Sequence, residues 1–267
     1  MSTPARTGRG HAPRKAYGQH FLVDPNILDV ATRLAELGSD DVVLEIGPGL
    51  GVLTAHLADR AALVHAVEID RALERPLADA LAGRDNVRLV FGDALRLDLA
   101  ALEPRPTKLV ANLPYNVATS IVLESLFSLP SVCTWCVMVQ REVADRFFAV
   151  PSTKAYGAVS VVLQLHARRT GLHPVSRHVF RPPPNVDSAL VAFVRVPGPD
   201  RGLAVRALVE AAFSHRRKTL ANALALSGCA TRERAAEALV ALGLDPAVRA
   251  EALPPQAFVV LEEELAR

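Results

Sequence analysis

Residues 112–115 read Asn-Leu-Pro-Tyr, directly after the apolar run "KLVA". These side chains suit one kind of chemistry, which is to hold a flat, amine-bearing ring while a group is transferred to its nitrogen. The exocyclic amine of a base such as adenine is a poor nucleophile, because its lone pair is delocalised into the ring. A site that alkylates it must grip both N–H bonds so that the lone pair points at the incoming carbon. Asn112 can accept one N–H with its side-chain oxygen. The carbonyl before or at Pro114 can accept the other, its direction set by the locked φ of proline. Tyr115 can stack on the ring, a contact worth roughly 1–3 kcal/mol per base. Transfer to an amine held in this way relies on positioning and electrostatics and needs no strong general base.

A donor must lie beside that amine, and a second group of residues suits one. "VLEIGPGLG" (43–51) places Gly47, Gly49 and Gly51 between an apolar run and an amphipathic segment. Glycines there let the backbone turn sharply and approach a ligand without a Cβ in the way. The dinucleotide fingerprint GxGxxG would need glycine at position 52, which is Val52. Glu68 follows Gly47 by twenty-one residues, at the tip of the next run. A carboxylate placed there can accept from both hydroxyls of a ribose. Asp93, in "FGDAL", is placed to meet an adenine amine.

The elements that must position these residues can be read from hydropathy. Apolar runs at 42–46, 63–69, 87–91, 108–112 and 134–139 alternate with amphipathic segments. That alternation predicts βαβ units and a mostly parallel sheet buried on both faces, a Rossmann-like α/β fold with its ligands at the carboxyl ends of the strands. A helix is expected from Pro25 to Leu37, capped by Asp24 and stopped by Gly38. "SALVAFVRV" (188–196) alternates like an antiparallel strand, and Pro197-Gly198-Pro199 marks a boundary. From Leu203 onward the pattern is helical, with a stop at Gly243 and a break at Pro254-Pro255. The expected organisation is a basic segment at 1–23, a catalytic α/β domain at 24–199 and a small all-α domain at 200–267.

Composition narrows the class. Half of the 267 residues are hydrophobic and 22% are charged, enough for a sizeable core. No run approaches a membrane span and the N-terminus has no apolar signal segment, so a cytoplasmic protein is expected. Cys133 and Cys136 form a CxxC without a second ligand pair, which reads as packing in a buried strand; no metal site is expected. His173 and His178 read as surface or turn residues. The formal charge is only +2, but Arg6, Arg9, Arg14 and Lys15 precede the first acidic residue, Asp24. A second basic cluster is His215-Arg216-Arg217-Lys218. Local basic patches on a balanced chain suit docking on a phosphate backbone.

Taken in order, "GQHFL" (18–22), "EIGPGLG" (45–51), "VEID" (67–70), "GDAL" (92–95), "NLPYN" (112–116), "MVQREVADR" (138–146), "YGAVSV" (156–161), "FRPPPNVDSALV" (180–191), "HRRKTLANAL" (215–224) and "GLDPAVRAE" (243–251) resemble the small-subunit ribosomal RNA adenine dimethyltransferases over nearly the whole chain. The resemblance implies a class I methyltransferase domain that uses S-adenosylmethionine, leaves S-adenosylhomocysteine and dimethylates two adjacent adenosines in a hairpin near the 3′ end of 16S rRNA. It further implies that His20 and Leu22 line the cofactor pocket. Gly47 and Gly49 belong to the cofactor loop, with Gly47 at the amino-acid end. Glu68 would meet the ribose, Asp93 the adenine, and Asn112 both cofactor and target. Phe180 would sandwich the target base opposite Tyr115, and the base must leave its stack to get there. Arg14, Lys15, Arg216, Arg217 and Lys218 would hold RNA, with the helical domain as a docking element. The implied partner is small-subunit rRNA in a pre-ribosomal 30S particle, bound by a monomer. Alternatives from the same residues are the related large-subunit (23S) adenine dimethyltransferases of macrolide resistance, and an RNA-binding assembly factor without turnover.

Overall fold

The computed structural model describes residues 20–267. The basic residues Arg6, Arg9, Arg14 and Lys15 lie outside the described residues, as does most of the 1–23 segment. In chain order the first elements are β1 (Phe21–Leu22), α1 (Pro25–Leu34), β2 (Val42–Ile46), α2 (Val52–Ala58), β3 (Leu63–Glu68), α3 (Glu74–Ala80), β4 (Val87–Phe91), β5 (Lys108–Asn112), α4 (Ala118–Ser128) and β6 (Thr134–Gln140). Then come α5 (Arg141–Phe147), α6 (Ala158–His166), β7 (Ala167–Val175), β8 (Phe180–Arg181) and β9 (Ser188–Arg195). Four helices close the chain: α7 (Gly202–Phe213), α8 (Leu220–Leu226), α9 (Arg232–Ala241) and α10 (Pro255–Leu265).

The chain divides into two compact units: residues up to Arg141 with Arg169–Val194, and Glu142–Arg168 with Arg195–Arg267. The first unit is an α/β domain whose main sheet has seven strands in the order β4-β3-β2-β5-β6-β9-β7. The pairings from β4 through β6 are parallel, and β9 runs antiparallel to β6 with Met138 opposite Leu190. Every residue of β2 is buried, the mark of a strand covered on both faces. Strand order reverses between β2 and β5, so their carboxyl ends diverge and leave a crevice there. A separate two-stranded ribbon pairs β1 with β8, placing Leu22 opposite Phe180.

Local chemistry explains most element ends. Asp24 caps α1 by accepting from the Asn26 N–H at 2.9 Å, and Pro25 fills the first turn. The helix stops at Leu34, short of the expected Leu37. Glu36 adopts φ +48° there, and the Leu37 N–H closes on the Thr32 carbonyl at 3.0 Å. That left-handed turn is the role the sequence reading assigned to Gly38. Cys136 is buried in β6, where burial pushes its thiol up to about 12. Cys133 lies exposed just before that strand and does not share its packing.

The second unit is helical. Tyr156 is buried and donates to the Leu253 carbonyl at 2.7 Å, and its ring meets Phe213 edge-on, with Phe258 beyond. The pattern of "RRKTLANAL" predicts a helix that includes Arg216, Arg217 and Lys218. They form the exposed turn between α7 and α8 instead. Arg216 donates to the Tyr156 carbonyl at 2.9 Å, which commits it to holding this turn. The Arg217 and Lys218 side chains are exposed and, among the described residues, make no ion pair or side-chain hydrogen bond. No described helix is long and apolar enough to cross a membrane.

Candidate functional site

The crevice at the β2/β5 switch is a cleft of about 190 Å³. His20, Leu22, Gly47, Gly49, Glu68, Asp93, Asn112, Pro114 and Tyr115 all line it. A second hollow of about 10 Å³, behind Asn112 and walled by apolar side chains, has no room for a ligand. Parallel strands bring the residues together. Glu68 ends β3, the glycine loop follows β2, and Asn112 ends β5.

The glycine loop is shaped by positions where a side chain would be strained. Gly47 has φ +77°, and a Cβ on it would sit 3.4 Å from Pro114 Cδ. Gly49 has φ +59°, and a Cβ would come within 3.0 Å of the Phe21 ring. The loop therefore passes close under Phe21 and beside the Asn112–Tyr115 turn, with bare backbone towards the cleft.

Glu68 is 4% exposed and tethers this loop. Its Oε2 accepts from the Gly49 N–H at 3.2 Å and its Oε1 from the Asp70 N–H at 2.9 Å. Each oxygen keeps a lone pair, enough to accept from two vicinal hydroxyls. Burial holds its carboxyl above the ordinary range, with the backbone donors opposing. Asp93 stands at the rim, 38% exposed, where Oδ1 holds the Leu95 N–H at 3.0 Å and Oδ2 faces Arg96 at 3.4 Å. Ile69 and Leu95 line the same end and are unusually exposed for apolar side chains, which suits covering a flat ring.

At the other end the Asn112 amide is oriented. Its Nδ2 donates to the His20 carbonyl at 3.1 Å. A carbonyl can only accept, so the amide nitrogen must face it and the amide oxygen is left for another donor. Tyr115 is pinned through its hydroxyl, 2.6 Å from Ser188 Oγ on β9, and burial raises its pKa. One face of its ring carries the His20 imidazole, with centroids 5.6 Å apart and 26° between planes. His20 Nδ1 is in turn 2.8 Å from the Pro182 carbonyl.

Phe180 is not brought to the cleft. It is 1% exposed, packed with Leu22, Met138, Val175 and Leu190 beneath the β1 ribbon. The ring lying against Tyr115 is that of His20. Arg216, Arg217 and Lys218 belong to the second unit, and Arg14 and Lys15 lie outside the described residues.

Sequence reasoning missed Glu45. It lines the cleft from within β2 at 1% exposure, and its Oε2 has no hydrogen-bond partner. Burial pushes its carboxyl up to about 8, and the neighbouring Glu68 adds to the effect. The Thr54 hydroxyl lies beside it and opposes the rise more than Glu68 adds to it. The signal available in the sequence was an acid interrupting the run "VVLEI" immediately before the glycines. Among the described residues there is no cluster of His, Cys, Asp or Glu arranged to hold a metal ion.

Residues 10–267 match the model of the family described as ribosomal RNA adenine dimethylase. The chain is 50% identical to a ribosomal RNA small subunit methyltransferase A from Rubrobacter xylanophilus, over 97% of each chain. Among solved structures it resembles a dimethyladenosine transferase from Plasmodium falciparum, with 25% identity, TM-score 0.75 and coverage of 91% of this chain and 96% of that one. It also resembles the 23S rRNA methyltransferase ErmE, with 30% identity, TM-score 0.67 and coverage of 92% and 100%.

The buried Glu45 makes a prediction about stability. Unfolded, its carboxyl ionises near 4.5; folded, near 8. The folded state therefore holds the extra proton between those values. Wild-type stability should fall as pH rises from about 4.5 to about 8, then level off. Glu45→Gln removes the titration. In urea unfolding of ligand-free protein the variant should gain on the wild type by an amount on the order of a few kcal/mol between pH 5 and pH 8. Parallel pH profiles would show that Glu45 ionises normally in the fold.

Proposed function

Because the chain belongs to the ribosomal RNA adenine dimethylase family, we propose that its cleft takes up S-adenosylmethionine and that its Asn112–Tyr115 turn presents adenosine N6 of small-subunit rRNA for dimethylation. The observation that carries this reading is the orientation of the Asn112 amide, whose oxygen is left to accept from an amine. S-adenosylmethionine supplies an activated methyl carbon on a sulfonium.

The residues present fit such a cofactor. Glu68 retains acceptor capacity for a ribose, and Asp93 with Ile69 and Leu95 forms a polar-edged apolar slot for a base. The glycine loop offers bare backbone to the amino-acid end of such a ligand. On the target side, Asn112 Oδ1 accepts one N–H of the adenine amine and a carbonyl of the Pro114 turn accepts the other. This turns the nitrogen lone pair towards the donor. Tyr115 supports the base by stacking, its plane set by Ser188. No side chain needs to take the proton before transfer, since the alkylated amine is acidic enough to release it afterwards. The cleft would then serve a second round on the monomethylated base.

The finer target we propose is a pair of adjacent adenosines in a hairpin near the 3′ end of 16S rRNA, met within a pre-ribosomal 30S particle by a cytoplasmic monomer. The helical segment 200–267 would dock RNA, with Arg217 and Lys218 as its phosphate contacts. The identity of 50% to a small-subunit enzyme against 30% to ErmE favours this over a large-subunit target.

Asn112→Ala should reduce methyl transfer to small subunits by a hundredfold or more, on the order expected for loss of a positioning group. It should leave RNA affinity within about twofold by filter binding; equal loss of both would contradict the division of roles. Replacing Arg217 and Lys218 together with alanine should weaken RNA binding and reduce its salt slope by roughly 1.5. An unchanged slope would remove these two from the RNA surface.

A further inference from the structure

The two rings that meet at the target end of the cleft are held by the two ends of one loop. His20 Nδ1 is 2.8 Å from the Pro182 carbonyl, and the Tyr115 hydroxyl is 2.6 Å from Ser188 Oγ. A carbonyl only accepts, so the imidazole donates to it through Nδ1. Residues 182–188 connect the two anchors, and a shift of that loop would be passed to both rings.

The loop has little packing of its own. Pro184 is buried, but Pro182, Pro183, Asn185, Val186 and Asp187 are exposed. Its flanks are set by strands: Arg181 pairs with Phe21 in the β1–β8 ribbon, and Ser188 faces Gln140 at the start of β9. Between these points polar ties take the place of apolar packing, and they converge on Arg177. Its backbone N–H and its Nε both donate to Asp187 Oδ1 at 3.1 Å, and its Nη1 donates to the Asn185 carbonyl at 2.7 Å. From the end of β6 the Arg141 N–H donates to the Asp187 carbonyl at 3.0 Å. An exposed ion pair alone contributes little to a fold. Arg177 differs because one residue closes the ten positions to Asp187 with three bonds, two of them from its rigid planar fork.

Arg177, Asn185 and Asp187 do not line the cleft. We propose that Arg177 is a positioning residue for methyl transfer: by bracing residues 182–188 it fixes the His20–Tyr115 stack against which the target adenine is laid. The assignment rests on the target reading given above. His20 covers one face of the Tyr115 ring, which leaves the other for the base. The same His20 orients the Asn112 amide through its backbone carbonyl. A stack that tilts or slides carries the base away from the oxygen that must accept its amine, and transfer falls steeply with such misplacement. The cofactor's ribose and adenine are met by Glu68 and Asp93, at the ends of β3 and β4, so its binding is spared.

The test combines four measurements on the full chain: methyl transfer to unmethylated small subunits, S-adenosylhomocysteine titration, filter binding of RNA, and nitrogen NMR of the His20 ring. Arg177→Ala should lower kcat by on the order of tenfold, with affinities for S-adenosylhomocysteine and RNA each within about twofold of wild type. Asp187→Ala should reproduce that loss. The double variant should be no worse than either single one, since both remove the same brace. Asp187→Asn keeps an oxygen for both Arg177 donors and should retain kcat within about twofold. In wild type the neutral His20 ring should be held as the Nδ1–H tautomer; in Arg177→Ala it should sample both tautomers.

Full activity in Arg177→Ala, with wild type active, would overturn the proposal and leave the functional reading standing. Weaker RNA binding in Arg177→Ala beside full activity in Asp187→Ala would make Arg177 a phosphate contact and overturn it. Loss of S-adenosylhomocysteine affinity in step with kcat would move the effect to the cofactor and overturn it as well. An unchanged His20 tautomer in a slow Arg177→Ala would show that the brace does not reach the rings, with the same consequence. Wild type that transfers nothing to either subunit would end the functional reading and the proposal together. Should Arg177→Ala fail to fold, the contrast of Asp187→Ala with Asp187→Asn still decides.

Discussion

One hydrogen bond organises the target end of this protein: the Asn112 amide nitrogen donating to the His20 backbone carbonyl. An asparagine amide presents nearly identical shapes at its two ends, and only its partners decide which end faces a ligand. Tying the nitrogen to a carbonyl leaves the oxygen for an amine, so a group able to bind either a donor or an acceptor is set to bind a donor. The bond in turn depends on a short strap. β1 is held by β8, the Val23 N–H reaches the Val179 carbonyl at 2.9 Å, and His20 is anchored again through Pro182. Phe180 supports this strap from below, which is why its ring is buried.

The other end of the cleft is organised by burying acids. Glu68 uses two backbone donors to fix the glycine loop and keeps capacity for a ligand, so it is structurally useful before anything binds. Glu45 lies deeper in β2, fully buried beside Thr54, with its Oε2 unpartnered. A fold tolerates a buried, unsatisfied carboxyl when a ligand completes it, and perturbed groups of this kind gather at functional sites.

The parallel sheet and its site-bearing strand ends were legible in the sequence because both are local. Runs such as 42–46 and 108–112 carry their burial in their composition, and Glu68, Asp93 and Asn112 sit where those runs end. Contacts made across the chain were not legible. Nothing near Tyr115 announces that its hydroxyl meets Ser188, seventy-three residues on, or that His20, not Phe180, supplies the ring against it. Glu45 was hidden by its neighbours, since one acid inside an apolar run reads as part of a strand. The 215–218 cluster misled in another way: its helical pattern continues α7, but the chain turns at Ser214 and Arg216 is drawn onto the Tyr156 carbonyl.

Substrate choice is the central claim, and methyl transfer tests it most directly. Labelled S-adenosylmethionine would be supplied with the protein and with separated, unmethylated small and large ribosomal subunits, followed by nucleoside analysis of the rRNA. The account predicts label in N6,N6-dimethyladenosine from the small subunit alone. Label confined to the large subunit, or none in either despite cofactor binding, would contradict it.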